Sequence, residues 1–121
     1  MGVPGDPYDA PFEVLHEHAL GGLELDVFDA HTHLGHNDPD GFKATPEEIV
    51  AGLDRAGHRR ALIFPMHEPD GYRGPNDDAI AASQRFAGRL TALARINPND
   101  GEDGVREIGR ASCRERVYGL V

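Results

Sequence analysis

The sequence predicts an α/β protein with parallel strands. Three observations carry that reading. Strand-like and helix-like segments alternate at a spacing of about 30 residues. The run Ala61-Leu62-Ile63-Phe64-Pro65 is continuously apolar, as a strand covered on both faces must be. Between two strand candidates, Thr45-Pro46-Glu47-Glu48 is a complete helix start. Strands and helices alternating in this way connect through right-handed crossovers, and chemistry then gathers at the carboxyl ends of the strands.

The elements follow in order. Residues 1–11 are rich in Gly, Pro and Asp and form an irregular lead-in. Pro11 opens a short helix over Phe12 to Leu20, which Gly21 and Gly22 end. Leu23 to Ala30 alternates and carries Val and Phe, so it is expected to be a strand, with Asp29 to Leu34 at its carboxyl end. A Gly/Asp-rich loop precedes Thr45, whose hydroxyl caps the first helix while Glu48 completes a capping box. Ile49, Val50, Leu53 and Ala56 share one face of that helix, and Gly57 stops it. After the apolar second strand, Asn76 is expected to cap a second helix. Asp77 and Asp78 would lie in its first turn, Ile80, Phe86 and Ala87 in contact with the core, and Gly88 at its end. Leu90 to Ile96 is expected to be the third strand, closed by Asn97-Pro98-Asn99-Asp100-Gly101.

Composition excludes several classes of function. With 121 residues the chain holds one domain and is too short for a closed eight-stranded barrel, which needs roughly 200–250. The net charge of -9 disfavours nucleic acid as a partner, because phosphate binding relies on surplus Lys and Arg. No apolar run reaches the ~18 residues of a membrane span, so no membrane partner is expected. The first basic residue is Lys43, so no secretory n-region is present, and Cys113 stands alone. A cytoplasmic protein acting on a small molecule is the expectation. Charge also changes along the chain: Met1 to Glu107 carries 20 acidic and 9 basic residues, whereas residues 108–121 carry three Arg and one Glu.

The end of the first strand holds the residues best suited to chemistry. In a strand, positions i and i+2 face the same way, so His31 and His33 can converge on one metal ion, and neutral imidazole is a favoured ligand for zinc. Asp29, one step deeper, is a candidate acceptor for an imidazole N–H, or is buried for structural reasons. His36 in the next loop and His67 after the second strand are candidate substrate contacts. Arg95 near the end of the third strand either meets an anionic substrate group or, as we favour, fills an internal salt bridge. His16 and His18 lie two apart in a helical stretch, about 200° around the axis, and cannot share an ion. His58 sits at the opposite end of the sheet and is structural.

With these residues in place, the sequence resembles the amidohydrolase superfamily, in particular its amidohydrolase-related branch of proteins similar to aminocarboxymuconate semialdehyde decarboxylase. DVFDAHTHLG (Asp26 to Gly35), ALIFPM (Ala61 to Met66) and NDDAIAASQRFAGRLTALARINPND (Asn76 to Asp100) carry the resemblance, over about Leu25 to Asp100. It implies the first three βα units of a (β/α)8 barrel of the TIM type, with a divalent metal, usually zinc, in its mouth. His31 and His33 would be the first two ligands, and a metal-acidified water the nucleophile. The family takes further histidines from middle strands and an aspartate from the last strand; no residue here matches them. Residues 1–22 are thus a lead-in and 23–107 the first part of a barrel. Glu107 to Val117 resembles an in-frame translation of a common sequencing-library adapter, so residues 108–121 are expected to be a non-native tail. The parent is expected to hydrolyse a small-molecule amide, ester or lactone, or else to decarboxylate one, with this portion inactive alone. The reading from another class is a small α/β module that binds without catalysis.

Overall fold

The structure is a computed structural model that describes residues 25–114. The expected lead-in and helix over Phe12 to Leu20, with His16 and His18, lie outside the described residues, as do residues 115–121. The elements run β1 (Phe28–Leu34), α1 (Pro46–Ala56), β2 (Arg60–Pro65), α2 (Arg73–Arg85), β3 (Leu90–Ala92), a 3-10 turn (Pro98–Asp100) and α3 (Glu102–Arg114). The strands form one sheet in the order β1-β2-β3, parallel throughout. Three parallel strands alternating with helices are the fold class that the sequence predicts.

The sheet buries one face under α1 and α2. Ala61 and Ile63 of β2 are fully buried beside Leu34, Leu90 and Ala92, and meet Ile49, Leu53, Ala79 and Ala82 of the helices. By strand alternation Leu62 and Phe64 point to the other face. Helix α1 forms as its sequence dictates. The Glu48 N–H donates to Thr45 Oγ1 at 3.2 Å, and the Thr45 N–H donates to Glu48 Oε2 at 2.8 Å. Gly57 ends the helix at φ 68°, a left-handed conformation that glycine adopts without strain. Val50 packs on the core as expected, while Ala56 is exposed.

Strand β1 begins at Phe28 and ends, as expected, through both histidines at Leu34; residues 23 and 24 of the expected strand lie outside the described residues. Its register against β2 slips by one residue between Asp29 and Thr32, a bulge with one extra residue on β1. Asp29 Oδ1 accepts the His31 N–H at 3.0 Å within that bulge.

Helix α2 also begins earlier than its sequence suggests, at Arg73, with Tyr72 at the cap and no side-chain capping bond. Asn76 is not a cap. Its main-chain N–H already donates to the Tyr72 carbonyl at 2.8 Å, and its side chain is 0% exposed. The first turn is satisfied instead by Pro75, which has no N–H to place. Ile80 is buried and Phe86 packs on the core, but Ala87 is exposed.

The β2–β3 ladder runs through Ala92 rather than to Ile96, with the Leu93 N–H donating to the Ile63 carbonyl at 2.8 Å as its last bond. Beyond it, Asn76 takes over the role of a neighbouring strand: Arg95 N–H donates to Asn76 Oδ1 at 2.8 Å, and Asn76 Nδ2 donates to the Arg95 carbonyl at 2.9 Å. Helix α3 continues unbroken through Glu107, where the composition changes. Arg110 binds both Glu107 oxygens at 2.7 Å and Asp77 Oδ1 at 2.7 Å. Among the described residues no helix is long and apolar enough to cross a membrane.

Candidate functional site

The carboxyl ends of the parallel strands bring His31, His33, Phe64 and Pro65 together. His31, within the bulge, and His33, just beyond it, bring their Nε2 atoms to 3.0 Å of each other. A carbonyl only accepts, so the 3.3 Å contact between His33 Nδ1 and the Pro65 oxygen is donated by Nδ1–H. That bond leaves the lone pair of His33 on Nε2, facing His31. Phe64 supports both rings edge-on, with its centroid 5.0 Å from that of His31 and 4.3 Å from that of His33. Apolar packing thus fixes the two imidazoles from one side, while His31 remains exposed.

Two imidazole nitrogens at this spacing fit one divalent ion. Bonds of about 2.0–2.1 Å from zinc to nitrogen put two ligand atoms roughly 3 Å apart. The carbonyl that fixes the His33 ring is the kind of outer partner that holds metal-ligating histidines. Among the described residues, no group of three or more His, Cys, Asp or Glu converges to complete a ligand set. His31 and His33 thus form a pair with no third such side chain beside them among the described residues.

The other expected site residues take varied positions. The Asp29 carboxylate is engaged by the main-chain N–H of His31 rather than by an imidazole. His36 is exposed and lines two cavities of about 280 and 230 Å3 beside Gly35. His67 is exposed and has no hydrogen-bond partner among the described residues. Arg95 forms no ion pair there, contrary to the favoured expectation. Its guanidinium donates to the Pro65 carbonyl at 3.2 Å and lies 5.3 Å from the centre of the Tyr72 ring. The nearby Glu107 is already committed to Arg110, which explains why Arg95 turns to a carbonyl and an aromatic face. Pro65 oxygen is thereby shared by Arg95 and His33. Asn76, by holding the main chain of Arg95, anchors this shared contact.

Electrostatics around Asn76 are strongly set. The Arg110 guanidinium holds Glu107 below the usual carboxylate range, helped by the Asn76 amide and opposed by burial. Glu107 and Asp77 in turn hold the proton of Arg110 more tightly than usual.

Glu68 is the residue that the sequence does not reveal. It is 4% exposed, three positions beyond β2, and its Oε1 lies 2.9 Å from where a Cβ on Gly35 would stand. Gly35 has φ 140°, so the residue after the histidine strand is glycine for both conformation and space. No local pattern around Glu68 announces this contact, because it depends on the path of the chain at Gly35.

No family model matches the chain, and no curated protein matches it significantly. Among solved structures it is similar to a probable 2-pyrone-4,6-dicarboxylic acid hydrolase from Acinetobacter baumannii, crystallised with citric acid bound. The TM-score is 0.53 and the identity 17%, over 80% of this chain and 38% of that one. The fold is that of part of a TIM-type barrel. The chain thus spans less than two-fifths of the length of that protein.

Proposed function

We propose that this chain is the N-terminal part of a metal-dependent hydrolase of the amidohydrolase type. Its substrate would be a small-molecule amide, ester or lactone. The observation that carries the reading is the pair of Nε2 atoms 3.0 Å apart at the carboxyl end of β1. That is the end of a parallel strand at which barrel enzymes place their chemistry. His31 and His33 would hold the ion, zinc being the metal most suited to two imidazoles. When bound, it supplies Lewis acidity and a water made acidic enough to be deprotonated near neutral pH.

The chain's own residues perform the supporting tasks. Pro65 oxygen fixes the His33 tautomer, and Phe64 excludes water from one side of both rings. Arg95 ties the end of β3 to the same carbonyl. The likeness to a barrel protein named as a hydrolase supports the class of reaction, while its pyrone dicarboxylic acid remains that protein's own substrate.

The test is a zinc chloride titration of the full chain carrying 15N-labelled histidine, followed by NMR. Binding is expected to shift the Nε2 resonances of His31 and His33 together. His31→Ala is expected to abolish the shift at His33. Zinc shifts that spread over His36, His58 and His67 alike, or that persist in His31→Ala, would overturn the assignment.

A further inference from the structure

We propose that Glu68 and Asp78 form a cation subsite that takes the protonated amine of a small molecule. The proposal rests on the small-molecule reading of the barrel mouth and names a chemical feature of its ligand. Glu68 is 4% exposed as a residue, and among the described residues no hydrogen bond or ion pair reaches its carboxylate, which borders a cavity. Asn76, the other buried polar residue, makes three hydrogen bonds, whereas Thr32 Oγ1 in β1 is buried without a partner among the described residues. A carboxylate this enclosed and without a partner is costly to keep charged, and a cation entering the cavity would offset that cost.

The surroundings say what that something is. Glu68 lines a cavity of about 230 Å3 with Gly35, His36, Asn37, Gly74 and Asp78. The acidic side chains lining this cavity are Glu68 and Asp78, and among the described residues no Lys or Arg lines it. An anion would meet only like charge there, whereas an ammonium group meets two carboxylates and the Asn37 side chain.

Glu68 also borders a larger cleft of about 590 Å3, sharing Asn37, Gly74 and Pro75 with the small cavity. That volume is within the range of small-molecule sites, about 300–1,000 Å3. The cleft carries charges of both signs: Arg106 and Arg110 are paired to acidic residues, and Arg73 also lines it. A ligand lying in the larger cleft can thus place an amine head in the smaller, acidic one. Gly35 makes room for this, since any side chain there would collide with the Glu68 carboxylate.

The experiment titrates the full 15N-labelled chain with n-butylammonium chloride, using butan-1-ol as the uncharged probe of the same shape. Butylammonium is expected to saturate, shifting the amides of Gly35, Asn37 and Gly74, while butanol does not. Glu68→Gln is expected to weaken butylammonium by at least about tenfold, the scale of one charge-assisted hydrogen bond. Asp78→Asn, at an exposed position, is expected to weaken it by a few-fold, and it decides the matter if Glu68→Gln does not fold. Equal responses to the two probes, or unchanged affinity in Glu68→Gln or in a folded Asp78→Asn, would overturn the subsite. The zinc response of His31 and His33 is expected to survive in Glu68→Gln. Failure of the metal reading is therefore read separately from failure of this one.

Discussion

Asn76→Ala is the substitution expected to be the most damaging outside the strands. The native side chain is 0% exposed and answers three polar groups: the Arg95 N–H at 2.8 Å, the Arg95 carbonyl at 2.9 Å and Glu107 Oε1 at 2.9 Å. Glu107 keeps Arg110 when Asn76 is lost, so its loss is small. The two main-chain groups of Arg95 have no replacement. Each buried polar group left unmet costs about 1–3 kcal/mol, which gives about 2–6 kcal/mol for the pair. That is a large part of the 5–15 kcal/mol by which domains are typically stable. In urea, at a slope of about 2 kcal/mol per molar, the midpoint is expected to fall by roughly 1–3 M with the slope unchanged. Circular dichroism across a urea series reads this directly. A change within about 0.5 kcal/mol, the size of an ordinary surface substitution, would refute the role of Asn76 as a surrogate strand neighbour.

Two further outcomes are expected. Gly35→Ala places a Cβ 2.9 Å from Glu68 Oε1 and forces φ 140° on a residue that resists it. A loss of about 1–3 kcal/mol in thermal or urea unfolding is expected, and an unchanged midpoint would contradict the geometry. Glu107 is held below the usual carboxylate range, chiefly by its hydrogen bonds to Arg110. Its contribution to stability is therefore present above the ordinary carboxylate pKa and is lost as pH falls through its lowered native value. Glu107→Gln is expected to be less stable at pH 7 and to flatten this part of the melting-temperature profile in acid; a parallel profile would argue against the pairing.

The residues that decide local conformation made much of the fold legible. Thr45, Pro46, Glu48 and Gly57 define α1 because capping bonds and a left-handed turn act within a few residues. The apolar run from Ala61 marks β2 for the same reason, since burial on two faces leaves no polar position. What escaped depends on distant partners. Asn76 has the composition of a cap, yet its side chain is used 19 residues away at Arg95. The length of β3 is limited by its neighbour, because β2 ends at Pro65, which has no N–H to donate. The bulge in β1 shows only in its register against β2. In the site, the alternation of His31 and His33 was readable, whereas the tautomer-setting Pro65 carbonyl and the buried Glu68 come from another strand and its loop.

The most direct measurement is to sequence the source gene beyond the codon for Arg106. A barrel that begins with these three βα units is expected to continue in frame for about 150 residues or more. It is expected to supply further histidines and a late aspartate to complete the pair at His31 and His33. A stop codon just after Val121 in the genomic copy would contradict the barrel hydrolase and leave a small α/β binding domain in its place.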